Sequence, residues 1–331
     1  MRTIRDVARL AGVGVGTVSR VISGKGSLSE KTRMQVIKAM RDLDYRPSAT
    51  AQSLSNRKSG IIGVLIPRFG PVLYEKVLAT VEDELRRKGK YFVLSSSLSA
   101  DEASVSFLLS RDCDGALIFA SEQTDERIFD VSQKFKNFGV INRFVTGIED
   151  RCFWVDHKEG GRFAAQMLIE AGHRDIAVIT GPNEARDSHL RRDGFFGELA
   201  LHGLSVPPEN IFQGDFRPSG GWNGSRYLTS GPRRFTAIFC FNDAMASGAV
   251  LYLRQNGIGV PNEIAVIGYD NLQYTEFLQP ALTTVDSHVD LIVRNACRYI
   301  MNQCYEMDFP IETRIAPTLV IRESHYARSV T

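Results

Sequence analysis

Apolar residues recur along this chain with two different periods. At the N-terminal end the spacing is helical. Val7, Ala8 and Ala11 form a short stripe that Gly12 breaks. Val18, Val21 and Ile22 form a second stripe ending at Gly24, and Val36, Ile37, Met40 and Leu43 a third. Thr3 stands three residues before Asp6, a capping-box start, and Ser29 is placed to cap the third helix. Two short helices on a tight glycine turn, with a third in support, predict an all-α helix-turn-helix head over residues 1–47.

From residue 60 the pattern changes. Continuous apolar runs occur at 61–66, 91–94, 116–119, 140–141, 153–155, 176–179, 237–241, 265–267 and 282–285, with a last strand at about 317–322. Helical patterns lie between them, at about 72–88, 101–111, 159–171, 189–202, 243–256 and 288–306. Strands that are apolar throughout and alternate with helices predict parallel sheets covered on both faces, an α/β body. More than eight strands exceed one ordinary sheet, so two lobes are expected. A ligand would then sit between them, at the carboxyl ends of the strands.

Charge sharpens this division. Residues 1–58 hold twelve Lys and Arg against four Asp and Glu; the remainder holds 28 against 34. A basic head on an acidic body predicts that the head alone meets a polyanion. The five cysteines, Cys113, Cys152, Cys240, Cys297 and Cys304, form no Cys-x-x-Cys pair and read as small core residues in a reducing cytosol. No apolar run is long enough to span a membrane, and the chain opens on a polar helical segment, not on a signal peptide. A cytoplasmic protein is expected.

Other chemistries fit these residues less well. The run Gly12-Val13-Gly14-Val15-Gly16 could cradle a phosphate, but that needs a buried strand before it, and the preceding residues have helical spacing. Asp187, Ser188 and His189 invite a triad reading, yet a triad needs convergence in space, not adjacency. His157, His173, His202 and His288 lack metal spacing. No enzyme activity, metal or cofactor is expected.

The head carries a family resemblance. Residues 4–13, Ile-Arg-Asp-Val-Ala-Arg-Leu-Ala-Gly-Val, and 17–21, Thr-Val-Ser-Arg-Val, resemble the opening signature of the LacI/GalR family of bacterial repressors, and the likeness continues through nearly the whole chain. The resemblance implies that Val15, Gly16 and Arg20 face base edges in the major groove of a near-palindromic double-stranded operator. Arg20 can donate two parallel hydrogen bonds to guanine, worth about 1–3 kcal/mol of discrimination. Val15 offers only apolar contact, and Gly16 allows close approach. Thr17 and Ser19 suit phosphates, and Thr3 joins the DNA-binding candidates. Residues 48–59 would be a hinge, in which Ala51 and Leu54 match a minor-groove helix whose leucine wedges a base step. So short a helix is unstable alone, which makes the hinge a natural switch.

For the body the resemblance implies a two-lobed periplasmic-binding-protein-like fold that the chain crosses three times, near residues 156–157, 286–287 and 317. This gives an N-lobe of about 60–156 and 287–316 and a C-lobe of about 157–286 and 317–326. Asn142, Arg191, Asn242 and Asp270 match effector positions, Phe216 a stacking aromatic, and Phe69, Tyr74 and Asp187 the cleft wall. Arg, Asp and Asn together suit the adjacent hydroxyls of a sugar. An ion pair of Asp with Arg, and a cap for the helix at 243, are the structural alternatives; Asp243 is assigned to the cap. The expected activity is repression of transcription released by a mono- or disaccharide, with a corepressor-dependent regulator sensing a purine or phosphorylated sugar as the alternative. A homodimer is expected, with Val77, Leu78 and Val81 either its interface or core.

Overall fold

The computed structural model describes residues 2–23, 28–45, 58–67, 72–96, 105–106, 108, 113–120, 123–231 and 235–326. The chain divides into two compact units, Met1–Gly60 and Ile61–Thr331.

In the first unit, α1 (Ile4–Ala11), α2 (Val15–Ser23) and α3 (Glu30–Asp42) surround a small core of Val7, Ala8, Val18, Val36 and Ala39. The capping box at Thr3 and Asp6 is present: the Asp6 amide donates to Thr3 Oγ1 at 3.4 Å, and the Thr3 amide donates to the Asp6 carboxylate at 2.9 Å. Ser29 caps α3 by accepting from the Thr32 amide. Gly12 ends α1 at φ 65°, a left-handed conformation that costs glycine no Cβ clash.

The second unit holds two six-stranded sheets. The first contains β1 (Ile61–Ile66), β2 (Tyr91–Ser96), β3 (Gly115–Phe119), β4 (Phe138–Ile141), β5 (Cys152–Val155) and the late β11 (Arg314–Ile315), in the order β11-β5-β4-β3-β1-β2. All its pairings are parallel. Helices α4 (Leu73–Arg86) and α5 (Asp125–Lys134) belong to this lobe. The second sheet contains β6 (Ile176–Thr180), β7 (Ile211–Gln213), β8 (Ala237–Cys240), β9 (Ala265–Tyr269), β10 (Thr283–Asp286) and β12 (Thr318–Val320). Its order is β12-β10-β9-β8-β6-β7, parallel except for β12. Its helices are α6 (His157–Glu170), α7 (Arg186–Leu201), α8 (Pro218–Ser230) and α9 (Asp243–Gln255). The long α10 (Val289–Tyr305) follows β10 of the second sheet but packs on the core of the first. The chain thus passes between lobes after β5, β10 and β11.

The stripe on α4 is core: Val77 and Val81 are fully buried against the first sheet and α10, and Leu78 packs on the same cluster. Val77 and Val81 are therefore core residues, and Leu78 is half-buried beside them. Four elements lack a counterpart in the hydrophobic pattern: α5, α8, β7 and β11. The helix expected over 101–111 lies largely outside the described residues. All five cysteines are free and buried, as expected of core residues.

Candidate functional site

Two surfaces hold the candidate residues. On α2, Val18 is buried, while Val21 and Ile22 pack on the same core. Helical periodicity then turns Gly16 and Arg20 to the opposite face, flanked by Val15 and Ser19. Val15 is 42% exposed, and a Cβ on Gly16 would meet nothing within 4 Å, so packing within the head does not require glycine there. Thr17 and Ser19 are half-buried beside this face. The Thr3 hydroxyl is engaged with Asp6 at 2.9 Å. Ala51 and Leu54 lie outside the described residues.

In the body, Asp187, Phe216, Tyr269 and Asp270 gather around Arg191, which is 2% exposed. Its Nη2 lies 3.3 Å from Asp187 Oδ2, one turn back on α7, and 3.4 Å from Asp270 Oδ1, just past β9. Its Nη1 donates to the Phe241 carbonyl. The guanidinium carbon stacks 3.8 Å from the Tyr269 ring centroid and 5.8 Å from that of Phe216. Its Nε is buried with no hydrogen-bond partner among the described residues. Two carboxylates against one guanidinium leave an excess negative charge, and burial pushes Asp270 up to about 7 despite the pull of Arg191.

The backbone at this site is unusual. Asn142, Phe216 and Asp270 adopt φ of 64°, 62° and 108°. Positive φ is costly for a bulky residue such as phenylalanine and concentrates where function fixes geometry. The Phe216 carbonyl is held by Asn242 Nδ2 at 3.1 Å. Asn242 Oδ1 accepts from the Met245 amide at 2.9 Å, so Asn242 is the cap of α9. This corrects the assignment of the cap to Asp243. Asp243 is the first helical residue, and its carboxylate turns inward to accept from the Leu272 amide and the Thr284 hydroxyl. The acid at the first position finds these two donors on neighbouring segments, and the preceding asparagine meets the free helix amide. Tyr74 is buried edge-on to Phe119. Phe69 lies outside the described residues.

Residues that patterning alone did not single out complete the site. His157 opens α6, fixed there by its neighbour Asp156, whose carboxylate accepts from the Glu159 amide. Its Nε2 lies 2.8 Å from Asn142 Oδ1 and its Nδ1 3.0 Å from the Tyr269 hydroxyl. Burial, and Arg191 after it, hold its pKa well below the usual value. A cavity of about 610 Å³ lies between the lobes, lined by residues other than those around Arg191. Gln123, Asp125 and Arg143 line it from the first lobe, and Asn183, Arg186 and His189 from the second. Ser188 and His189 do not converge: Ser188 Oγ accepts from the Gly181 amide, and His189 faces the Asn183 carbonyl. Among the described residues no cluster of metal-ligating side chains occurs, and no helix is long and apolar enough to cross a membrane.

Comparison with known proteins agrees with this architecture. Residues 3–48 match the family described as bacterial regulatory proteins, lacI family, and residues 165–325 match a periplasmic binding protein-like domain. The HTH-type transcriptional regulator GalR of Escherichia coli K12 is 30% identical over 98% of this chain and 96% of its own length. The HTH-type transcriptional repressor PurR of Escherichia coli O139:H28 is 32% identical over 98% of this chain and 97% of its own. Among solved structures, the lac repressor dimer bound to operator and the anti-inducer ONPF superposes with a TM-score of 0.86. That structure is 25% identical and covers 98% of this chain and 99% of that one. With the head, the two-sheet body and these relatives in hand, the chain belongs to the LacI family, as a DNA-binding transcriptional repressor with an effector-binding domain.

Proposed function

We propose that a small neutral sugar, a mono- or disaccharide such as a galactoside or β-glucoside, binds between the lobes and releases this repressor from its operator. Asn142, Asp187, Arg191, Phe216, Asn242 and Asp270 are its contacts, with Phe69 at the cleft wall. The observation that carries this reading is Arg191 Nε, a buried donor without a partner among the described residues, on a guanidinium whose Nη2 meets two carboxylates. An unpaired buried donor costs about 1–3 kcal/mol, which a hydroxyl oxygen relieves. The carboxylates accept from neighbouring hydroxyls, and the Phe216 ring covers an apolar sugar face. The likeness to GalR supports a sugar; the likeness to PurR makes a purine corepressor the competing reading.

In the head, Val15, Gly16 and Arg20 read bases, while Thr3, Thr17 and Ser19 position phosphates. Residues 48–59 form the hinge, with Ala51 and Leu54 in the minor groove; the family resemblance supports this part. The repressor acts in the cytoplasm as a homodimer on a near-palindromic site, as twofold symmetry requires.

Thermal unfolding with a panel of D-galactose, methyl β-D-galactoside, cellobiose, hypoxanthine and guanine tests the effector. At a hundredfold excess over its dissociation constant a true effector adds about 2.7 kcal/mol of stability. Stabilisation by a sugar is expected. Stabilisation by the purines alone would transfer the site to the corepressor reading.

A further inference from the structure

We propose that His157 is a positioning residue that ties the Arg191 cluster of one lobe to Asn142 of the other, acting as a neutral imidazole protonated at Nε2. The connection to effector binding rests on the reading of Arg191 given above; the hydrogen-bond relay itself does not.

The relay runs through named atoms. Arg191 stacks on the Tyr269 ring, the Tyr269 hydroxyl meets His157 Nδ1 at 3.0 Å, and His157 Nε2 meets Asn142 Oδ1 at 2.8 Å. Arg191, Tyr269 and His157 belong to the second lobe, and Asn142 follows β4 of the first. The Nε2–Oδ1 contact is therefore a link between lobes inside the protein, with His157 only 3% exposed.

The chemistry fixes its direction. The carboxamide oxygen of Asn142 only accepts, so His157 Nε2 carries the proton between them. A neutral imidazole has one donor and one acceptor. In the neutral ring Nδ1 is then the acceptor, and the Tyr269 hydroxyl donates to it. The carboxamide nitrogen of Asn142 is then left as a donor.

Local structure supports this arrangement. His157 and Gly160 share one face of the first turn of α6, one turn apart. A Cβ at Gly160 would collide with the Tyr269 hydroxyl, so glycine makes room for the ring to reach the imidazole. Asn142 holds its side chain toward the second lobe from a left-handed backbone. Burial first, and the positive charge of Arg191 after it, keep the imidazole neutral, and Tyr269 is the ionisable group bonded to Nδ1. The link therefore stays intact through the pH range in which exposed histidines titrate. A ligand that moves Arg191 off the Tyr269 ring frees that ring to shift, and through His157 alters the bond to the first lobe.

Nitrogen-15 histidine spectra of the full-length protein test the tautomer directly, with His157→Gln identifying the resonance. We expect a neutral ring, protonated at Nε2 and accepting at Nδ1, unchanged between about pH 5.5 and 8. A proton on Nδ1, or titration within that range, would overturn the proposal. Tyr269→Phe removes only the hydroxyl and should release the tautomer to a mixture; an unchanged spectrum would count against the relay. Spin labels on cysteines introduced at the exposed Glu126 and Glu184 report lobe separation. His157→Gln, which keeps an amide donor, should retain a narrow distribution, and His157→Leu should broaden it while remaining folded by circular dichroism. A Leu variant with the wild-type distribution would refute the positioning role. No sugar enters these experiments, so a sugar screen that fails bears on the effector reading alone.

Discussion

Arg186 Nη1 lies 2.8 Å from Asp125 Oδ2, joining the first residue of α7 in one lobe to the first residue of α5 in the other. The same carboxylate takes Arg143 Nε at 2.7 Å. Arg143 is buried, whereas Arg186 and Asp125 are 45% and 42% exposed. Solvent screens the pair between lobes, and exposed pairs are worth about 1 kcal/mol or less. Arg186→Ala should therefore lower unfolding stability by no more than about 1 kcal/mol, and raising the salt should erase the difference. Urea unfolding at low and high salt checks this; a loss of several kcal/mol would show that the bridge is far better shielded than its exposure implies.

Arg191 should behave in the opposite way. Its removal leaves Asp187 and Asp270 facing each other without a cation. Breaking a buried ion pair costs about 3–5 kcal/mol. Arg191→Met should lose stability of that order in urea unfolding, and adding Asp187→Asn and Asp270→Asn should recover part of it. The single variant should also lose its response to sugar while the folded fraction retains operator affinity. A normal sugar response would remove Arg191 from the effector site.

At the Arg191 cluster two opposed shifts shape the pH dependence. Asp270 is raised to about 7 when folded, so the folded state holds an extra proton between its ordinary value and 7. The stability it contributes is full at acid pH and is lost as pH rises through about 7. His157 is depressed, so the unfolded chain takes up the extra proton below about 6.5, and stability falls on acidification. In the wild type the two slopes partly cancel between about pH 4 and 6.5. Asp270→Asn removes its share of the opposition to His157, leaving the raised Asp243 in place, and its melting temperature should drop more steeply with acid than that of the wild type. Parallel profiles would contradict the assignment of a proton to Asp270.

The head allows a separation of folding from DNA contact. Gly16 has open space around it, and alanine favours a helix over glycine by about 1 kcal/mol. Gly16→Ala should raise the melting temperature of the head yet weaken operator binding, because the added methyl group stands on the face proposed to meet DNA. Arg20→Ala should relax the base preference by about 1–3 kcal/mol at one position. Equal operator affinity in both variants would place the DNA contacts elsewhere.

Some of this was legible in the sequence and some was not. The head and most strands announce themselves because burial on both sheet faces leaves uninterrupted apolar runs such as Ile61–Ile66. Helix α8 carries Gly220, Gly221 and Gly224, weak helix formers that periodicity discounts. A Cβ at Gly221 would strike the Met245 backbone, so the glycines serve the close approach of α8 to α9, a tertiary reason. Helix α5 is mostly charged, yet Thr124 caps it and Asp125 and Glu126 follow, a start signal that was available. Strand β7, at a sheet edge, and the two-residue β11 are too short for any pattern. Arg191, Asp187 and Asp270 could be nominated from their places after strands. His157 could not, because its role depends on Tyr269, 112 residues away.

The central claim is that a sugar between the lobes releases the head from DNA. Fluorescence anisotropy of the full-length protein tests it most directly, on a duplex selected from a random-sequence library and titrated with and without the sugar that stabilises the body. Coupling of about 1–3 kcal/mol weakens binding roughly 5- to 150-fold, and Arg191→Met should abolish the change. Operator affinity that is unaltered by any stabilising sugar, or that tightens with hypoxanthine or guanine, would contradict the account.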